Sequence, residues 1–187
     1  MRFGWQVRSK SNSDNSVCET QADTVLPTDL TVAAVVEQDG KFLIVEERSS
    51  GVLVITQPGG HIESGESPEE ACTREVLEET GCDVAINSLL GVYLWIQPQT
   101  RRQFLRIVYV ADFLQQDLKR KLDESVHAVH WYNKADVEHH VRNLRTPVVI
   151  RSIEDYVAGK RQPESILAGP MPIQHRVADV LANAALV

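Results

Sequence analysis

The chain has 187 residues, 43% hydrophobic and 24% charged, with a formal net charge of −7. That length supports one domain with a real core plus tails, and the acidic balance argues against general nucleic-acid binding, which needs basic surface to neutralise phosphates. No apolar run approaches the ~18 residues of a membrane span, and Cys18, Cys72 and Cys82 form no metal pattern or disulfide framework, as suits a reducing cytoplasm.

Residues 1–27 read as a disordered appendage, because the polar run SNSDNS cannot build a core and no apolar leader segment precedes it. Arg2, Arg8 and Lys10 among serines only faintly resemble a transit peptide, since Asp and Glu follow. The domain proper spans 28–168. TVAAVVEQ and KFLIVEER are strands joined at Asp39-Gly40, a two-residue hairpin signal. RSSG makes the next turn, and VLVITQP is a strand that runs into Gly59-Gly60. After a helix at 68–80, DVAINSLLGVYLWIQP reads as strands broken near Asn87-Ser88, and QFLRIVYVADFL as another strand. QQDLKRKLDES is a loop, VHAVHWYN a strand, and Ala135 to His140 a short helix. A last helix starts at Thr146-Pro147, with Thr146 as its cap, and ends before Gly159. Residues 169–187 form an extension with a weakly amphipathic helix from about His175. Strands and helices in this order predict an α+β or α/β sandwich around a mixed sheet.

The chemistry concentrates between Gly60 and Cys82, GHIESGESPEEACTREVLEETGC. Ser67 is a helix N-cap, Pro68 suits the first helical position, Glu70 completes a capping box, and Gly81 suits a left-handed C-terminal cap. On this helix Glu75, Glu78 and Glu79 crowd one edge, while Cys72, Val76 and Thr80 lie on the side available for burial. A bare Glu-x-x-Glu-Glu run reads as a solvated acidic face. The glycines, the capping box and Arg74 beside Glu75 favour a site for a hard divalent cation, which accepts oxygen ligands from successive helical turns.

Gly60, Glu66, Arg74-Glu75, Val76, Glu78-Glu79 and Gly81 together resemble the box of the Nudix family, MutT-like hydrolases of diphosphates linked to another moiety. Cys82 departs mildly, where larger aliphatic residues are usual. The resemblance implies a Nudix-type α/β/α sandwich with a mixed β-sheet and a loop–helix–loop box. It implies Glu75 and Glu79 as principal metal ligands, Glu78 as a third ligand, a partner that holds the ligands or the general base, and the Gly60 carbonyl as a further ligand. Mg²⁺ is the implied cofactor, with Mn²⁺ the alternative. Glu66, Arg74 and Gly81 would support the box, Arg74 pairing with Glu66 or a neighbouring carboxylate. The second place for a general base in such enzymes is a loop before a late strand, where Glu124 lies. Arg106, inside the apolar FLRIVYV, is read as reaching substrate phosphate, and Gln57 as touching substrate from its strand end. His61, Arg101-Arg102 and Lys119-Arg120-Lys121 are read as surface groups, and His127 and His130 as facing opposite ways.

The resemblance extends over 28–168 to one bacterial Nudix branch of phosphatases acting on nucleoside tri- and diphosphates and on hydroxymethylpyrimidine and thiamine pyrophosphates. It rests on TVAAVVEQDGKFLIVEER, QPGGHIESGES, the WIQP strand end, QFLRIVYVA and LRTPVVIRSIEDYVAGKRQP. An aromatic residue usual three positions before the loop proline is Ile55 here, which bears on ring stacking. The expected activity is therefore Mg²⁺-dependent release of orthophosphate from such small phosphoanhydrides. Alternatives are a pyrophosphohydrolase of nucleotide sugars, dinucleotides or oxidised nucleotides, and a non-catalytic ligand-binding domain. Expected partners are the small-molecule substrate, with no nucleic acid and no membrane; monomer and homodimer both stay open.

Overall fold

The computed structural model describes residues 26–163. The expectations for the N-terminal tail, the end of the domain at 168 and the helix near His175 lie outside the described residues. Strands β1 (Thr28–Gln38) and β2 (Lys41–Ser49) form the expected hairpin. Asp39 and Gly40 both have positive φ, 52° and 77°, the twist that a two-residue turn needs to match its flanking strands. Then follow β3 (Val52–Thr56), α1 (Pro68–Thr80), β4 (Cys82–Ile96), β5 (Gln103–Gln116), β6 (Val126–Tyr132), α2 (Lys134–His139), a 3-10 turn at Val141–Asn143, and α3 (Val148–Val157).

The sheet runs β3-β2-β1-β5-β4, with β6 also paired to β2. It is mixed: β1 and β5 are parallel, whereas β2 pairs with β3 and β6, and β4 with β5, in antiparallel fashion. Val32, Ala34 and Val36 of β1 pack with Cys72 and Val76 of α1 on one face. Ala33 and Val35 pack with Val149 and Ile153 of α3 on the other. A strand apolar on both faces is what a layered α/β/α sandwich requires of its centre. Nothing among the described helices is long and apolar enough to cross a membrane.

One feature of the sheet positions the site. β1 and β2 pair only at the hairpin end, Glu37 with Phe42 and Gln38 with Lys41, and then diverge as β2 turns to β3 and β6. The β1 edge this exposes is filled by the loop before α1. Ala34 N–H donates to the Pro58 carbonyl (3.0 Å), Val32 N–H to that of Gly60 (2.9 Å), and Ile62 N–H to that of Leu30 (3.3 Å). The backbone groups of β1 are thereby satisfied, and the glycine loop sits where the sheet splays open.

Two boundaries differ from expectation. β4 does not break at Asn87-Ser88; it pairs with β5 throughout, with irregular register between Ile86 and Ser88 and again between Leu89 and Gly91. The polar residues mark a bulge rather than a loop, and Asn87 Nδ2 binds Asp112 of β5 at 3.1 Å. At α3, Pro147 occupies the cap position, while Thr146 Oγ1 accepts the Val148 N–H at 3.2 Å, one residue ahead of the expected role.

Candidate active site

Helix α1 has the punctuation its sequence predicts. Ser67 Oγ accepts the Glu70 N–H at 3.2 Å, and the Glu70 carboxylate accepts the Ser67 N–H at 2.8 Å. Gly81 closes the helix with φ 68°, its N–H donating to the Leu77 carbonyl at 3.0 Å. The three carboxylates do not share one environment. Glu79 lies on the buried side with Ala71, Cys72, Val76 and Thr80, whereas Glu78 stays nearly half exposed.

Arg74 ties loop to helix. Its Nε and Nη2 grip both oxygens of Glu66 at 2.6 and 2.9 Å, its Nη1 reaches Glu75 at 2.9 Å and Glu78 at 3.1 Å, and Nη2 also donates to the His61 carbonyl at 3.1 Å. A bidentate guanidinium–carboxylate pair carries direction as well as attraction. The Arg74 contact brings the Glu66 carboxyl down to about 2, and Arg74 itself is held above its ordinary range.

Gly59 and Gly60 permit the close approach of loop and helix. At Gly59 (φ 152°) an added Cβ would lie 2.2 Å from the Val32 carbonyl oxygen, and at Gly60 2.5 Å from a Glu75 carboxylate oxygen. The Gly59 N–H donates to Glu79 Oε2 at 2.8 Å. Burial nevertheless pushes the Glu79 carboxyl up to about 8, with Glu47 and Glu75 repelling its charge further. Burial also raises Glu75, against the pull of Arg74.

Around these groups is a cleft of about 410 Å³ lined by Glu47, Gly59, Gly60, Glu75, Glu79 and Arg145, among others. Glu47, on β2, is only 4% exposed and ion-pairs with Arg145. Arg145 is anchored by its backbone, whose N–H donates to the Ile55 carbonyl at 3.0 Å. Next to the cleft, and sharing Ser49, Gly59, Gly60, His61 and Arg145 with it, opens a larger cavity of about 870 Å³. Arg106 of β5 lines this cavity at 8% exposure, with its Nε lacking a hydrogen-bond partner. Burial, reinforced by Arg145, brings the Arg106 guanidinium down to about 10.

The expected site residues fall into three groups. Glu75, Glu79, Arg106 and the Glu66–Arg74 support converge on the cleft and cavity. Glu78 and Glu124 do not line the cleft but share a depression of about 350 Å³ beside it. The Glu124 carboxylate is 90% exposed and 3.6 Å from Lys121 Nζ. One expectation needs correction. Gln57 is 1% exposed, its Nε2 2.8 Å and Oε1 3.1 Å from Ser152 Oγ, so its amide tethers α3 instead of facing a substrate. Gly60 lines the cleft against Glu75 as expected, its carbonyl accepting the Val32 N–H with a second lone pair to spare, and the Gly59 N–H adds a backbone contact to Glu79.

Glu47 and Arg145 escaped sequence reasoning. A signal for Glu47 existed: it has the parity of Leu43 and Val45, both wholly buried, and a buried acid on an apolar strand needs a partner or a ligand. The carboxylates that line the cleft offer oxygen donors, the chemistry that suits Mg²⁺ or Mn²⁺. Among the described residues, no three His, Cys, Asp or Glu side chains are yet gathered as a metal cage, and Arg74 holds Glu75 and Glu78 in this arrangement.

A glycine loop locked by Arg74 to an acidic helix, over a cleft at the splay of a mixed sheet, defines a phosphoanhydride-hydrolase site. The NUDIX domain model matches residues 27–152. Phosphatase NudJ of Escherichia coli K12 is 35% identical over 134 residues, covering 72% of this chain and 86% of that protein. A NUDIX hydrolase from Nitrosomonas europaea superposes with a TM-score of 0.73 at 42% identity, covering 76% of this chain and 96% of that one. A UDP-X diphosphatase shares the fold at TM-score 0.59 and 21% identity, covering 77% and 70%. The chain belongs to the Nudix family. It is a hydrolase acting on phosphorus-containing anhydrides.

Proposed function

We propose that this enzyme is a Mg²⁺-dependent phosphohydrolase. It releases orthophosphate stepwise from nucleoside tri- and diphosphates and from small ring diphosphates such as hydroxymethylpyrimidine or thiamine diphosphate. The observation that carries this reading is the convergence of Glu75, Glu79 and Glu47 with Arg145 in one compact cleft, beside the unpartnered Arg106. A short anionic tail fits such a site at its end. The likeness to a protein named a phosphatase supports orthophosphate as the product.

Glu75 and Glu79 would hold the cation, with Glu47 as the third carboxylate of the cleft. When bound, the cation neutralises phosphate oxygens and makes a bound water more acidic. Arg145 and Arg106 bring guanidinium N–H groups to the phosphate oxygens, a match that lysine could not reproduce bidentately. Glu78, which lies outside the cleft but is tied to Glu75 through Arg74, is assigned to take the proton of the attacking water once its carboxylate turns toward Glu75. It is preferred to Glu124, whose carboxylate is turned to solvent beside Lys121. Arg74 and Glu66 keep Glu75 against Gly60 and are positioning residues.

The test is phosphate release over a panel of nucleoside and ring diphosphates, with EDTA and Mg²⁺ add-back. Glu79→Gln should fold and lose roughly 100-fold or more in turnover. Full activity in EDTA, or unchanged turnover of Glu79→Gln, would overturn the assignment.

A further inference from the structure

We infer that Glu47 and Arg145 form an exchangeable latch that couples the two binding events of the site. Glu47 gives up the guanidinium to take the cation, and the freed guanidinium takes the phosphate. This rests on the phosphohydrolase reading above and adds to it the way in which cation and phosphate make room for each other.

The pair is unequal. The Glu47 side chain is 6% exposed, whereas that of Arg145 is 42% exposed. A carboxylate placed so deeply needs a positive partner at all times, because an uncompensated buried charge is costly. A guanidinium with that much access to solvent has no such need and can leave for another anion. Glu47 is fixed from behind. It sits on β2 opposite Val54 of β3 and Val126 of β6, and the register with β6 shifts between Glu46 and Glu47. A bulge of this kind re-aims a side chain beside a site. Arg145 is pinned through its backbone: its N–H is on the Ile55 carbonyl, Leu144 bridges to the same residue, and Pro147 leads into α3. The exchange therefore needs rotation of one long side chain and no movement of the main chain.

Arg145 also stands where an exchange has consequences. Among the described residues it is the arginine that lines both the cleft and the larger cavity beside it. The neighbouring cations are otherwise placed. Arg74 is engaged by Glu66, Glu75 and Glu78, Arg48 lines only the cleft, and Arg106 lines only the cavity. While the latch is closed, an incoming phosphate meets Glu47, Glu75 and Glu79 across a cleft whose shared arginine is already paired. At equal distance a doubly charged ion attracts a carboxylate twice as strongly as a guanidinium does. Transfer of Glu47 to the cation then removes both obstacles together, because the acid is neutralised and the guanidinium is released. The coupling is reciprocal: a phosphate that draws Arg145 away leaves Glu47 open to the cation.

Calorimetric titrations of the full chain measure the two events apart: Mg²⁺ with no phosphate present, and imidodiphosphate, a hydrolysis-resistant phosphoanhydride mimic, in metal-free buffer. The wild type, Glu47→Gln, Arg145→Met and the double variant form one cycle. Arg145→Met should tighten Mg²⁺ binding about tenfold while Glu47 is present, and by less than about twofold in the Glu47→Gln background. Glu47→Gln should tighten imidodiphosphate binding about tenfold while Arg145 is present, and by less than about twofold in the Arg145→Met background. Net charge without exchange gives each substitution the same effect in either background, and that additive result overturns the proposal. Unchanged Mg²⁺ binding in Arg145→Met overturns it too. Should Arg145→Met fail to fold, Glu63→Gln serves as the charge control, since Glu63 lines the same cleft without holding Arg145. Imidodiphosphate bound more tightly by Glu47→Gln but not by Glu63→Gln supports the exchange, and equal tightening overturns it. Turnover judges the hydrolytic reading separately. Additive binding with full turnover sinks the exchange alone, and coupled binding without turnover sinks the hydrolytic reading alone.

Discussion

Glu79→Gln removes one buried charge while keeping the side chain's shape, and its consequence for stability can be worked from its surroundings. In the metal-free protein, burial raises the Glu79 carboxyl from 4.5 to about 8, with only the Gly59 N–H holding it back appreciably. Between those values the folded state keeps a proton that the unfolded chain has released, so stability falls as pH rises from about 4.5 to about 8 and levels off above. At about 1.4 kcal/mol per pH unit, that window is worth roughly 3–5 kcal/mol. Glutamine is neutral throughout and its Oε1 can still accept from Gly59. Urea midpoints in EDTA at pH 5 and pH 8 should therefore be close for the two proteins at pH 5. At pH 8 the variant should be more stable by roughly 3 kcal/mol. Adding Mg²⁺ at pH 8 should raise the wild type more than the variant, because the variant keeps only Glu75 and Glu47 to hold the cation. Parallel pH profiles for wild type and variant would refute the reasoning, since Glu79 would then carry no buried charge to relieve.

Four further substitutions probe separate parts of the structure. Gly59→Ala should destabilise by about 2–4 kcal/mol in thermal melts, because its Cβ meets the backbone of β1, which cannot yield as a side chain could; a melting temperature within a degree of wild type would contradict this. Gln57→Ala should lower stability by about 2–3 kcal/mol through loss of the buried amide's contacts with Ser152. Its KM should stay near wild type, and a large rise in KM would return Gln57 to the substrate. Glu78→Gln should lower kcat roughly 100-fold or more while Glu124→Gln leaves it near wild type; the opposite order would move the proton-accepting role to the loop of Glu124.

Helix α1 was legible to the residue because its limits are set by local chemistry: Ser67, Pro68, Glu70 and Gly81 act on their own turn of backbone. The β1–β2 hairpin was legible for the same reason, through Asp39-Gly40. The pairing of Arg74 with Glu66 follows from the same stretch and is met in full. What local spacing cannot reveal is what arrives from afar. Glu47 meets Arg145 across 98 residues of chain. Gln57 misled for a related reason. Its place before Pro58-Gly59-Gly60 suggests a strand end beside the site, but which way the amide points depends on α3, 95 residues later. That the Gly60 carbonyl also closes the edge of β1 was not legible, because the splay of β1 from β2 that recruits it is a property of the whole topology.

The most direct test of the central claim is the product of nucleoside triphosphate hydrolysis, resolved by ion-exchange chromatography over a time course with Mg²⁺. Attack at the end of the phosphate chain predicts a nucleoside diphosphate that rises and then falls, with orthophosphate accumulating from the first time point and no pyrophosphate. Nucleoside monophosphate and intact pyrophosphate appearing in equal amounts, with no diphosphate intermediate, would contradict it and place the enzyme among the pyrophosphohydrolases.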